Sequence, residues 1–182
     1  MRIALPILTL LLACSGKTTD STGDSTPVDT NPTSGQGSIS GTPSTMSFDT
    51  VAEAWMIGLP DDPTSTRVFY LFDQPVACAD ITAHGWDQTI TDGTQSLEMK
   101  LIGSTPGDYP VATRPSAGQS SDNYTITSQS STPVEVAATG GSVTLTGITD
   151  SVSAVGNINL TFPNGSLTGS FRAVFCGQGV EP

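Results

Sequence analysis

The sequence predicts an all-β fold for residues 38–182, either an antiparallel β-sandwich or a partly open barrel. Apolar and polar residues alternate over short segments, and this period of two is typical of strands with one buried face. Clusters of Gly, Pro, Asn and Asp separate these segments as turns. No long stretch shows helical periodicity. A domain of about 145 residues is large enough to build a single hydrophobic core.

The clearest strand signals are the three segments 141–148, 157–162 and 167–175. Between the last two, Asn164-Gly165 predicts a two-residue hairpin loop, because a type I′ turn needs a positive φ at both central positions. That loop would place Phe162 opposite Leu167, and the large apolar side chains of both strands would share one face. A shift of one residue would put them on opposite faces.

Further strands are predicted at 66–73, 95–102, 108–112, 123–128 and 133–138. The continuous apolar run at 68–72 is typical of a strand that is buried on both faces. The segment 46–58 fits either a helix or a strand, and its Trp55 is expected to pack in the core.

The N-terminus carries an export signal. Arg2 precedes an apolar run that is too short to span a bilayer as a helix, and the run ends in Leu-Leu-Ala-Cys at residues 11–14. This ending resembles the lipobox of bacterial lipoproteins. The resemblance implies that residues 1–13 are a cleaved signal peptide and that Cys14 carries diacylglycerol and a further acyl chain such as palmitate. Two or more chains anchor a protein stably to a membrane. By resemblance to Gram-negative lipoproteins, Ser15 in place of Asp favours transport to the outer membrane, while the envelope type stays open. An ordinary signal peptide with a stray cysteine is the alternative to the lipobox.

Residues 14–37 are predicted to form a disordered tether between the lipid and the domain. They are rich in Ser, Thr and Asp, and Val28 is their one sizeable apolar residue. Such a segment buries too little apolar surface to offset the entropy lost on ordering.

The cysteine count favours one disulfide. Of three cysteines, Cys14 is taken by lipid if the lipobox holds, which leaves Cys78 and Cys176 as a pair in an exported protein. A zinc site at the two would have only His84 as a further ligand of the usual type, which leaves the set incomplete. The sequence therefore implies no metal and no cofactor.

The net charge of −11 excludes nucleic acid as a partner, because its phosphates would be repelled, and argues against adhesion to anionic lipid by charge alone. The acidity is expected to keep the protein soluble by mutual repulsion, and binding of divalent cations such as calcium is the alternative interpretation. Contact with the membrane is expected through the lipid on Cys14. Membrane face and oligomeric state stay open.

No catalytic motif is present. The chain lacks a G-x-S-x-G elbow, an S-x-x-K pair and an H-E-x-x-H helix, so we assign no catalytic residue and expect no enzyme. The segment 165–176, GSLTGSFRAVFC, resembles the closing hairpin of uncharacterised β-sandwich lipoproteins, which offer no catalytic residues to transfer. We therefore expect a structural or interaction domain with an envelope protein as partner. Carbohydrate binding is the alternative, with candidate ligand-binding residues near turn-like sequence: His84, Trp86, Tyr109 and Tyr124.

Overall fold

The computed structural model describes residues 35–58, 66–82, 90–126 and 132–178. Within these residues the predicted all-β class is confirmed. The strands are β1 (Gly35–Gly41), β2 (Val51–Gly58), β3 (Thr66–Phe72), β4 (Gln95–Ile102), β5 (Gly107–Pro110), β6 (Ser120–Ile126), β7 (Val134–Ala137), β8 (Gly140–Thr149), β9 (Ser153–Phe162) and β10 (Gly165–Gln178). One short helix, α1 (Cys78–Thr82), follows β3.

All the described strands belong to one sheet. Its order is β5-β8-β9-β10-β1-β2-β3-β4-β6-β7, and neighbours in this order are antiparallel. The 14-residue β10 is the longest strand, and beyond its pairing with β1 it pairs in parallel with β2. Strand β10 therefore joins the two halves of the sheet.

The sheet curls until its two ends approach each other, but it does not close. Val111, just after β5, forms an isolated parallel bridge with Ser120 at the start of β6. The amide of Ala112 donates a 2.8 Å hydrogen bond to the carbonyl of Ser120. The rings of Tyr124 and Phe162 meet edge to face with their centroids 6.5 Å apart. These contacts place β5 and β9 against β6 across a shared core.

The main core fills the inside of this curl. Strand β9 shows the period of two that the sequence predicts, with its alternate residues buried. Strands β2, β3, β4 and β6 supply the opposing wall. Among the described residues, the largest fully buried side chains are Tyr124, Phe48, Phe69, Phe72, Ile39, Met56, Leu71, Leu97, Met99, Leu101, Leu145 and Leu160.

A second apolar cluster lies on the outer face of β2, β3 and β10. Every residue of β3 is buried, as the apolar run predicts. Phe69 and Leu71 face the main core, whereas Val68, Tyr70 and Phe72 join the second cluster. That cluster is covered by residues 73–82, which include α1, and by residues 90–94. We call these two segments the strap. The strap explains how one strand can be buried on both faces of an otherwise half-exposed sheet.

The β9–β10 hairpin is real, but its predicted loop is wrong. Phe162 pairs with Gly165 and Leu167 with Leu160, so the two-residue turn is Pro163-Asn164. Proline fixes its φ near −65°, which suits the first central position of a type I turn. A type I′ turn at Asn164-Gly165 would need a positive φ at Asn164, and Ser151 is the one non-glycine residue with positive φ in the described segments. The shift equals two residues, so the large side chains still share one face.

Strand β1 (Gly35–Gly41) lies between β10 and β2 and includes residues before Ser38, where the sequence predicts the start of the domain. The sequence GQGSISG lacks a β-branched run and therefore gives no strand signal. Gly35 is required by close packing: a Cβ there would lie 1.9 Å from the carbonyl oxygen of Arg172. The ambiguous segment 46–58 contributes β2, with Trp55 buried at 4% exposure as expected.

Candidate functional site

Three predicted site residues lie outside the described residues: Cys14, His84 and Trp86. Lipidation at Cys14 and ligand binding at His84 or Trp86 therefore stay predictions.

Tyr109 and Tyr124 are core residues, so their prediction as exposed sugar-binding aromatics is wrong. They are 3% and 0% exposed. The hydroxyl of Tyr109 donates to the carbonyl of Thr105 at 2.7 Å. The hydroxyl of Tyr124 donates to Oε1 of Gln95, and burial raises its pKa. The prediction assumed that aromatic residues near turn-like sequence are exposed. Tyr109 and Tyr124 are near such sequence, but each occupies an inward-facing position of its strand.

The predicted disulfide between Cys78 and Cys176 is confirmed, with an S–S distance of 2.08 Å across 98 residues. It ties the start of α1 in the strap to the end of β10. Two further contacts hold the strap: the amide of Val76 donates to Oε2 of Glu53 at 2.6 Å, and Nε1 of Trp55 donates to the Val76 carbonyl at 2.8 Å. The disulfide therefore has a structural role, because it fixes the strap over the second cluster.

The outer face of β1, β10, β9 and β8 is a regular array of small polar side chains. One row across these strands runs Ser38, Ser170, Asn157, Thr144, and a second runs Ser40, Thr168, Asn159, Ser142. Directly opposite side chains lie about 5 Å apart, and rows repeat about every 7 Å along a strand. We call this surface the polar face and define it by Gln36, Ser38, Ser40, Ser142, Thr144, Thr146, Val155, Asn157, Asn159, Thr161, Thr168, Ser170 and Arg172.

A shallow open depression of about 480 Å³ lies on the polar face. Bulges interrupt the ladders beside it, at 145–147 in β8 and 35–37 in β1, and such bulges bend a sheet. Gly156 lies in its floor, where a Cβ would come within 2.5 Å of the Thr144 carbonyl oxygen and 3.0 Å of the Phe171 ring. The depression is lined by Gln36, Gly37, Ser38, Thr146, Val155, Gly156, Asn157, Ser170, Phe171 and Arg172.

Charge distinguishes this depression from the rest of an acidic chain. Arg172 is its one charged lining residue, and the lining contains no carboxylate. Within the described residues, Arg172, Asn157 and Gln36 make no side-chain hydrogen bond or ion pair, whereas Thr146 donates to the carbonyl of Val155 at 3.2 Å. The depression therefore presents one guanidinium with neutral donors and acceptors beside it, a set that recognises a carboxylate or phosphate flanked by hydroxyl groups.

The sequence contains part of this signal. The alternation in 157–162 and 167–175 correctly turns Asn157, Asn159, Ser170 and Arg172 away from the core. It cannot show that β1 and β8 flank these strands, since strand order is set by long-range pairing. The polar face as a continuous surface is therefore a finding of the structure.

A buried acid lies on the opposite, inward side of the sheet. Asp122 in β6 is 2% exposed, and its Oδ1 has no hydrogen-bond partner in the described part of the chain. The Ser120 hydroxyl lies 2.8 Å from Oδ2 of Asp122 and 3.2 Å from the main-chain carbonyl oxygen of Tyr109. Burial, with a contribution from Glu98, raises the pKa of Asp122 to about 7, although the Ser120 contact opposes the shift. Nothing in the sequence SSDNYTI signals this environment.

No group of three His, Cys, Asp or Glu side chains in the described part of the chain is arranged to hold a metal ion. None of the helices among those same residues is long and apolar enough to cross a membrane. No family model, curated protein or solved structure matches this chain.

Proposed function

We propose that this protein is anchored by lipid in the cell envelope, at the outer membrane. Its β domain acts by binding a ligand and not by catalysis. The lipobox-like Leu-Leu-Ala-Cys at 11–14 supports the anchor, and the Ser/Thr/Asp-rich stretch after it supports a tether. The observation that carries the binding role is the depression around Arg172, which combines a guanidinium with unengaged polar side chains on a solvent-exposed sheet.

The polar face favours an acidic polysaccharide over a protein as its ligand. Protein interfaces concentrate aromatic and other large apolar side chains at their centre. The polar face has Val155 as its one exposed large apolar residue, at 37% exposure, and no exposed aromatic residue. A polysaccharide with uronic-acid units supplies a carboxylate for Arg172 and repeated hydroxyl groups for the rows of Ser, Thr and Asn.

Electrostatics favours the depression as the place on the polar face where such a ligand binds. A polyanion is repelled by most of a chain with net charge −11. The depression is the part of the polar face where a cation stands without a neighbouring carboxylate. Binding should therefore be local to Arg172 and weak in high salt, because exposed charges are screened beyond about 8 Å at physiological ionic strength.

A protein partner is the second candidate, and the edge strand β7 favours it. This strand ends the sheet order, and its Val134 is 50% exposed. An unpaired edge can accept an additional strand from a partner protein. That interaction would use main-chain groups of β7 and would not involve Arg172.

Binding of the full chain to oligogalacturonate, with neutral malto-oligosaccharide as comparison, tests the proposal by calorimetry. Arg172→Gln should weaken oligogalacturonate binding about tenfold, the effect of losing a charge-assisted hydrogen bond. The matched control is Arg114→Gln, because Arg114 is an exposed cation outside the polar face. Equal weakening by both substitutions, or equal binding of both sugars, would contradict an acidic-sugar site at Arg172.

A further inference from the structure

Ser120 and Asp122 lie where β5 and β6 come into contact. Where the two ends of the sheet approach, Ser120 is the connecting residue: it pairs with Val111, its carbonyl accepts from Ala112 at 2.8 Å, and its hydroxyl reaches the Tyr109 carbonyl at 3.2 Å. The side chain of Asp122 lies beside that hydroxyl, inside the core.

The Ser120 hydroxyl has a single hydrogen, and this determines which protonation state of Asp122 fits the observed distances. A serine hydroxyl carries one hydrogen and can donate to one acceptor at a time. Its oxygen lies within hydrogen-bond distance of two acceptor positions, the Tyr109 carbonyl and Oδ2 of Asp122. Both contacts are hydrogen bonds when Asp122 is a neutral acid: Oδ2–H donates to Ser120 Oγ, and Ser120 Oγ–H donates to Tyr109.

With Asp122 ionised, the same contacts conflict. The carboxylate can only accept, so Ser120 turns its hydrogen to Oδ2 and its bond to Tyr109 is lost. The second carboxylate oxygen, Oδ1, is buried without a partner, which is costly for a charged group. Ionisation therefore weakens the junction of β5 and β6 and leaves a charge in the core.

We propose that Asp122 and Ser120 form a proton latch, which holds β5 against β6 while Asp122 is protonated and releases it when Asp122 ionises. The latch is independent of the polar face, since Asp122 and Ser120 face the core. It makes the contact between β5 and β6 respond to pH in the neutral range.

Charged groups on the neighbouring strands do not supply an alternative partner. Strand β4 carries Glu98 and Lys100, and Glu98 acts on Asp122 by raising its pKa. Glu135 lies on β7, where it is exposed. Asp108 on β5 accepts from Thr144 at 2.6 Å and is exposed. Strand β9 has no charged residue. Among the described residues, no cation forms an ion pair with Asp122.

The test follows the full chain, purified in detergent, across the pH range from about 4 to 8. The Asp122 carboxyl carbon, followed by NMR, should titrate near pH 7. The equilibrium constant for unfolding should rise by up to about tenfold per pH unit more in the wild type than in Asp122→Asn, because native Asp122 retains one proton that the unfolded chain loses. Asp49→Asn is the control, since Asp49 is an exposed carboxyl outside the latch.

Amide exchange locates the effect. In the wild type, the amides of β5 should lose protection above pH 7 relative to those of β9 after correction for the intrinsic pH dependence, and they should stay protected in Asp122→Asn. Ser120→Ala should expose β5 at every pH. A titration midpoint near that of a free aspartate would overturn the proposal, and so would equal loss of protection in β5 and β9. The wild-type titration and exchange decide the matter even if Asp122→Asn does not fold.

Discussion

The indole nitrogen of Trp55 donates a 2.8 Å hydrogen bond to the main-chain carbonyl of Val76, which fixes the strap to the sheet beneath it. Two residues later, Cys78 begins α1 and is bonded to Cys176 on β10. The strap is thus held from below by a buried side chain and from the side by a covalent bond. Its stability sets the stability of the second apolar cluster.

Loss of the disulfide should lower the stability of the domain substantially. In the chain-entropy model, a bridge closing a loop of about a hundred residues contributes about 4–5 kcal/mol. The double variant Cys78→Ser/Cys176→Ser should lose about that free energy of unfolding, as measured by urea denaturation. In a Trp86→Phe background, which leaves Trp55 as the one tryptophan, the fluorescence should shift to the red as the strap loosens. Reduction of the wild type should reproduce the variant; equal stability before and after reduction would show that the disulfide does not hold the strap.

The β9–β10 turn packs closely on the segment after β1. A Cβ on Gly165 would lie 2.1 Å from the carbonyl oxygen of Thr42. Gly165→Ala should therefore destabilise the domain by about 1–3 kcal/mol, the usual cost of overpacking. Gly140→Ala is the matched control, because a Cβ there meets nothing within 4 Å. Similar melting temperatures for the two variants would argue against this close packing.

Folding stability should decrease as pH rises from about 4 to 7. The folded-state pKa of Asp122 is raised from 3.8 to about 7. Its contribution is fully present below the unfolded pKa and is lost as pH passes the folded value. The loss reaches about 4 kcal/mol at most, since each pKa unit corresponds to 1.36 kcal/mol. Burial also raises the pKa of Glu98 and of the more exposed Asp73, so Asp122→Asn should remove part of the slope. Urea unfolding at several pH values measures it, and a slope unchanged by the substitution would exclude Asp122 as its source.

The anchor can be tested in cells that express the full chain. Cys14→Ala should abolish the incorporation of labelled palmitate and move the protein out of the membrane fraction, because it removes the acylated thiol that the lipobox resemblance implies. Cys78→Ser/Cys176→Ser, which leaves Cys14 intact, is the control and should keep its label. Label retained in Cys14→Ala would contradict lipidation at this residue.

Local pattern predicted most of the strands, and long-range packing explains what it missed. The apolar run at 68–72 correctly predicted a strand buried on both faces, since period and composition are local properties. Strand β1 was missed because it is rich in glycine, which is not typical of strands. Glycine is needed there because main-chain carbonyl oxygens of β10 and β2 lie too close to leave room for a Cβ. The turn was predicted one position late because the Asn-Gly pair was taken as the stronger signal. Pro163, whose ring fixes φ near −65°, favours a turn that starts at residue 163.

The candidate site was less predictable than the fold. Tyr109 and Tyr124 were chosen for their neighbouring turn residues, but burial depends on strand register and not on distance from a turn. Arg172 and Asn157 were correctly turned outward by alternation. Their place in one depression also requires β1 beside β10 and β8 beside β9, and this strand order is set by long-range pairing that the sequence does not show.

An NMR titration of the full chain with oligogalacturonate tests the binding role most directly. Amide and side-chain shifts should concentrate at Gln36, Asn157, Ser170 and Arg172. Arg172→Gln should need about tenfold more ligand to reach the same shifts, while Arg114→Gln should leave the titration unchanged. Shifts confined to the edge strand β7, or no shifts at ligand concentrations that saturate an acidic-sugar-binding protein, would contradict the binding role.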